Sequence, residues 1–314
     1  MMIVMKIKGL LQNKIFSCFA AIFCTVLWGT AFPFIKLGYS SFEIAEGDIG
    51  SKLLFAGLRF ALAGLMVLVL LCVSNRRFML PDKDEALPVV TLGLVMTAGQ
   101  YIFTYVGIGF TSGTNTSIIT ACASFFTVLA APIFFKADKL SVTKLAGCAL
   151  GFAGVLITNR GGGLGLDTLF GDVMILLSTL CSAAGNILSK KLASNRDPVK
   201  ITAFQLLTGG AVLTAAGLAL GGRLSFEKAE STLILLWLAF VSAAAFSVWT
   251  ALLKYHPASR ITIFNLLVPI FGTMLSGVLL GEDVFGLETL ISLCLITLGI
   301  AFVNVSKKES PPDN

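Results

Sequence analysis

Charge is scarce in this sequence. Only 13% of its 314 residues are Asp, Glu, Lys or Arg, where a soluble protein carries about 25%. With 56% hydrophobic residues, the shortfall excludes an ordinary soluble domain and puts the chain in the membrane class. The 17 acidic residues fall in loops or at the ends of apolar runs. That argues against a proton relay, which usually uses a buried carboxylate or His. The single His, His256, stands in a loop beside Pro257. The seven cysteines, Cys18, Cys24, Cys72, Cys122, Cys148, Cys181 and Cys294, sit in or beside apolar runs. No two have CxxC or Cys/His metal spacing, so they read as small packing residues, with neither disulfide nor metal expected. GxSxG, HExxH and Walker motifs are also missing, so an enzyme would lack its catalytic constellation. No cofactor is expected. "NRGGGLGLD", 159–167, is glycine-rich but follows an apolar run, and reads as a connector.

What the sequence has is long apolar runs. Ten candidate spans lie at roughly 15–37, 52–73, 87–109, 114–135, 143–159, 170–189, 198–220, 232–254, 259–280 and 285–305. About 20 apolar residues cross the hydrocarbon core as a helix, which satisfies its own backbone where no water can. Continuous runs, rather than period-two alternation, exclude a membrane barrel. The basic start "MMIVMKIKGLLQNK" looks like a signal peptide, but the apolar run from Ile15 to Ile35 is too long for one. It reads as a retained first span.

The 23 Lys and Arg residues are unevenly shared. Lys6, Lys8, Lys14, Arg76, Arg77, Lys83, Lys136, Lys139 and Lys144 fall on one side with Lys190, Lys191, Arg196, Lys200, Lys254, Arg260, Lys307 and Lys308. Lys36, Lys52, Arg160, Arg223 and Lys228 fall on the other. The richer side is predicted to be cytoplasmic, which puts both termini inside a multi-pass protein of the cell membrane. The bilayer is thus the first partner. The basic residues form no stripe, so nucleic acid is excluded.

Residues 105–159 lie on 250–304 at a constant shift, pairing Asp138 with Asp283, Gly154 with Gly299 and Asn159 with Asn304. Around Arg59 a shift one residue longer works, pairing Arg59 with Gln205 and Gly64 with Gly210. The repeat predicts two five-span halves, 1–159 and 160–314. Five is odd, so the second half enters the membrane inverted. The expected fold is an all-α integral membrane protein of ten transmembrane helices in two inverted repeats, an architecture of secondary transporters.

The sequence resembles the drug/metabolite transporter superfamily, EamA type. The matching residues are "LWGTAFPFIK", "YIFTYVGIGFTSGTNTSII", "KADKLSVTKLAGCALGFAGVLI" and "PIFGTMLSGVLLGEDVFGLETLISLCLITLGI", which together with the span order extend the likeness over nearly the whole chain. The family often has Pro partway along the fourth span and "GE" after it; here Ser124 stands opposite Pro269 and "KAD" replaces "LGE". The resemblance implies ten helices, a central cavity, and export or exchange of small metabolites across the cytoplasmic membrane.

Polar and aromatic residues inside the spans mark candidate site positions: Trp28, Gln100, Tyr101, Thr104, Asn186, Trp249 and Asn265. The aromatics offer apolar faces and the amides offer hydrogen bonds without net charge. Such a lining suits a small neutral or zwitterionic organic metabolite, such as an amino-acid-like compound, better than a metal ion or polyphosphate. A cavity-facing Trp249 is expected to have few packing partners. Each residue singly also fits helix–helix packing. Arg59 sits about two turns inside span two, where a charge facing lipid costs a few kcal/mol. Three readings apply: it snorkels outward or binds carbonyls at a helix end, it lines the outer vestibule and attracts an anionic group, or it pairs with a loop acid such as Asp172 or Glu282. The expected activity is secondary transport of a small molecule, with export preferred. A passive channel or an uptake permease is the alternative, and a homodimer is left open.

Overall fold

The computed structural model of the chain describes residues 9–76, 79–108, 110–111, 113–158, 168–280 and 286–304, and among these it is helical with no strand. In chain order the helices are α1 (Lys14–Ser41), α2 (Ile49–Asn75), α3 (Lys83–Ile108), α4 (Gly113–Phe134), α5 (Val142–Thr158), α6 (Leu169–Asn195), α7 (Pro198–Ala219), α8 (Ala229–Tyr255), α9 (Ala258–Leu279) and α10 (Leu287–Asn304). Eight are long and apolar enough to cross a membrane, and Ile119–Phe134 and Val142–Ile157 are shorter apolar helices. The connector 159–167, Glu282, Asp283, and Lys6, Lys8, Lys307 and Lys308 lie outside the described residues.

Side-chain chemistry explains where helices begin. Asn13 Oδ1 accepts from the amides of Ile15 and Phe16, satisfying donors that α1 cannot use internally. Asp48 caps α2 through Ser51 N. Asp82 and Glu85 form a capping box on α3. Asp197 caps α7 just before Pro198, whose missing N–H costs nothing in the first turn.

Two helices are irregular inside. In α3 a π-helical stretch, Gly93–Gly99, runs directly into Gln100. In α9 a 3-10 stretch, Ile263–Leu266, precedes Pro269. Such stretches shift the register of every side chain that follows and are frequent at functional sites.

The usual soluble arrangement is reversed. Phe19, Phe23, Leu70, Ile133 and Leu233 are exposed, while Arg59, Thr97, Asn186, Thr202, Gln205 and Ser242 are buried. An apolar exterior this extensive belongs in lipid. The chain is a multi-pass membrane protein.

Two helix pairs run in backbone contact. A Cβ at Gly57 would fall on the backbone of Thr214, one at Gly64 would stand 2.6 Å from Leu207 N, and one at Gly210 would fall on Ala61 N. Numbers rise on α2 as they fall on α7, so the pair is antiparallel. Likewise α5 and α10 meet where a Cβ on Gly147 would stand 2.5 Å from Gly299 O, and one on Gly154 would stand 2.9 Å from Ser292 O. Small residues let membrane helices approach this closely. Between these seams, α1 packs on α8 and α9, and α6 packs on α3 and α4.

Candidate functional site

Trp28 joins two parts of the core. Its ring lies 5.0 Å from Trp249 and 5.4 Å from Phe246, both on α8 and both edge-on. Phe60 of α2 continues the cluster, 6.3 Å from Phe246 and 4.5 Å from Tyr101 of α3. Edge-to-face rings at these separations attract beyond their area of contact, by about 0.5–1.5 kcal/mol per pair.

Two polar pairs hold this aromatic row. The Trp249 indole N–H donates to Asn186 Oδ1 at 3.0 Å, while Asn186 Nδ2 donates to Ser182 O at 3.0 Å. Asn186 is therefore oriented by its own helix and presents its acceptor to α8. At the other end Arg59 Nε donates to Ser242 Oγ at 3.1 Å, and Ser242 donates back to Leu238 O. The guanidinium carbon lies 4.5 Å from the Phe60 ring centre and 5.9 Å from that of Tyr101, at cation–π distance.

Of the predicted residues, Trp28, Tyr101, Asn186, Trp249 and Arg59 are thus brought into one continuous cluster. Gln100 and Thr104 lie on α3, and Thr104 turns toward α6: its Oγ1 donates to Gln100 O and shares a 2.6 Å hydrogen bond with Ser178 Oγ. Asn265 is half-buried in the 3-10 stretch of α9, and no hydrogen bond ties it to the cluster among the described residues. Trp28, Gln100, Tyr101 and Thr104 are half-buried as well.

Two expectations need correction. Trp249 does not have few packing partners: it is only 1% exposed and packed between α1 and α6. Arg59 does not snorkel outward: it is 2% exposed and directed at α8. Nor does Asp172 serve it in any ion pair among the described residues. Asp172 accepts from Thr168 at 3.0 Å and from Thr111.

Phe60, Ser178 and Ser242 were missed by sequence reasoning. Phe60 is one Phe among 25, and Ser242 lies in "SAAAF", which reads as packing. Only its position opposite Arg59 gives it a role. A groove of about 440 Å³ between α1 and α8, lined by Phe34, Leu37, Glu230, Leu233, Ile234 and Trp237, contains none of the predicted residues. Among the described residues no group of His, Cys, Asp and Glu could hold a metal ion, and all seven cysteines are free.

The model of the EamA-like transporter family matches residues 15–160 and again 169–305, so the chain belongs to this family. It is an EamA-type permease of the drug/metabolite transporter superfamily, a membrane transporter; family and relatives point away from an enzyme. A Salmonella typhimurium protein named "Probable amino-acid metabolite efflux pump" is 29% identical, over 91% of this chain and 94% of its own. An Escherichia coli protein of the same name is 26% identical, over 88% and 91%. The E. coli "Uncharacterized inner membrane transporter YedA" is 25% identical, over 95% and 94%. One solved structure shares the fold, with TM-score 0.76 and 19% identity over 90% of this chain and 94% of that one.

Proposed function

We propose that this chain is a secondary transporter that exports a small amino-acid-like metabolite, neutral or zwitterionic, across the cytoplasmic membrane. It works by alternating access between two inverted five-span halves, 1–159 and 160–314, with both termini cytoplasmic. The observation that carries this reading is the central cluster. Trp28, Tyr101, Asn186 and Trp249 gather with Arg59 from five helices, drawn from both halves, inside an apolar exterior. Gln100, Thr104 and Asn265 complete the proposed wall.

The helix contacts support the two-fold arrangement. Exchanging each helix with the one five places on converts α1–α8 into α6–α3 and α1–α9 into α6–α4, and all four contacts exist. The same exchange maps the α2–α7 and α5–α10 seams onto themselves. Halves related in this way can rock about a central site. Trp249 and Asn186 are closed off from solvent, which fits one stage of such a cycle. The relatives' names, which concern amino-acid metabolite efflux, support the substrate class.

The test is a counterflow screen of amino acids, nucleosides and cationic drugs in proteoliposomes, with wild type and Tyr101→Ala in parallel. Exchange of amino-acid-like compounds alone, weakened at least tenfold in the variant, is expected. Exchange confined to nucleosides or cations overturns the substrate class, and an unaffected variant removes Tyr101 from the wall.

A further inference from the structure

Arg59 forms no ion pair among the described residues. Its Nη1 is buried without a hydrogen-bond partner. Its Nε is committed to Ser242, and its flat faces meet Phe60 and Tyr101. Two phenols, those of Tyr39 and Tyr101, interact with Arg59, and each also interacts with Tyr105. Phenols supply hydrogen bonds but no counter-charge at neutral pH.

A permanently charged group this deeply enclosed is costly unless paired, and within a membrane it normally finds a partner or lines a pathway. Guanidinium offers a planar fork of donors matched to a carboxylate. We propose that Arg59 is the carboxylate-binding residue, and that the transported solute itself brings the missing anion. The carboxylate pairs with the idle Nη1 beside the Tyr101 phenol. The apolar part of the solute lies along Phe60, Phe246 and Trp28, the rings that lead from Arg59 to Trp249. Lys52 supports a route. It lies two turns from Arg59 on the same face of α2, with its ammonium 5.4 Å from the Tyr39 ring centre. With both termini cytoplasmic this end of α2 is external, so an exported anion leaves Arg59 past a second cation. The proposal rests on the reading of the aromatic cluster as the substrate wall, and it narrows the substrate class to carboxylates.

The experiment pairs each proteinogenic L-amino acid with its α-amide, in counterflow and in thermal-shift assays, on wild type, Arg59→Lys, Arg59→Gln and Asn186→Leu. At least one acid is expected to be carried and to raise the melting temperature, with its amide at least 100-fold poorer. Arg59→Lys is expected to carry the acid with KM raised about tenfold, and Arg59→Gln to lose it. If Arg59→Gln fails to fold, the acid–amide comparison on wild type decides. Equal transport of acid and amide, normal transport by Arg59→Gln, or no response to any acid overturns the proposal. Acids carried with dependence on Arg59 but normally by Asn186→Leu would sink the wall reading at Asn186 alone. Amides carried equally well but lost in Asn186→Leu would sink the carboxylate proposal alone.

Discussion

Trp249 and Asn186 are joined across α8 and α6 by a 3.0 Å hydrogen bond from indole N–H to amide oxygen, where neither residue has more than 2% of its surface exposed. The bond ties the aromatic row to α6, and it decides which substitutions are informative.

Trp249→Phe keeps a ring against Trp28 but leaves Asn186 Oδ1 without its donor. The expected loss of stability is about 1–3 kcal/mol, the cost of an unsatisfied buried acceptor. Trp249→Ala opens a void as well and is expected to cost about 3–5 kcal/mol. Transport per folded molecule is expected to drop at least tenfold in Trp249→Phe. Melting temperature and counterflow on the same preparation separate the two effects; a variant destabilised but transporting normally would take Trp249 out of the site.

The α2–α7 seam depends on the absence of side chains. Gly210→Val puts a branched side chain on the backbone of Ala61, and the helices must separate along their whole contact. Overpacking of this kind costs about 1–3 kcal/mol or more. Gly47 has nothing within 4 Å, so Gly47→Val serves as the control. Size-exclusion profiles of the two variants should show a lost monodisperse peak for Gly210→Val only.

His256 sits between α8 and α9, outside the spans, with Nε2 2.7 Å from Leu11 O. Burial lowers its pKa below the ordinary 6.5, opposed by the bond to Leu11 and helped by the positive charges of Arg260, Lys190 and Lys14. The folded state therefore prefers neutral His. Its contribution is complete above the ordinary value and is lost as pH falls from there toward the lowered value. The melting temperature of wild type should fall as pH drops below the ordinary value toward the lowered one, and His256→Gln should flatten that slope. An identical slope in the variant would assign the effect to other groups.

The charge asymmetry of the loops predicts sidedness. In a background without native cysteines, a cysteine at Gly47 or Gly162 should react with an impermeant reagent from outside intact cells, and one at Arg196 should not. The opposite pattern would invert the topology and with it the direction of every argument about which end of α2 a solute meets first.

The eight long apolar helices were legible because a membrane span announces itself locally: composition alone marks α1, α2 and α8. The small-residue seams were half-legible. Gly147, Gly154 and Gly299 stand out in sequence, but their facing each other depends on the pairing of α5 with α10. The π stretch before Gln100 and the 3-10 stretch through Asn265 were not legible, because both arise where one helix yields to a neighbour. Gly93 lies where a Cβ would stand 2.7 Å from Gln205 O. Arg59 was conspicuous as the charge in an apolar run, but its inward direction follows from Ser242, 183 residues away. No local pattern encodes that pairing.

The central claim is that solute passes through a carrier whose two halves expose the Trp28–Tyr101–Trp249 cluster alternately. Its most direct measure is counterflow with reconstituted wild-type protein. Vesicles are preloaded with an excess of an unlabelled amino acid found in the screen, and uptake of a labelled trace is followed. A carrier predicts a transient overshoot of label above equilibrium, which is lost in Asn186→Leu although the variant remains folded. Label that rises monotonically to equilibrium, with the same rate whether or not the vesicles are preloaded, would contradict the account and indicate a channel.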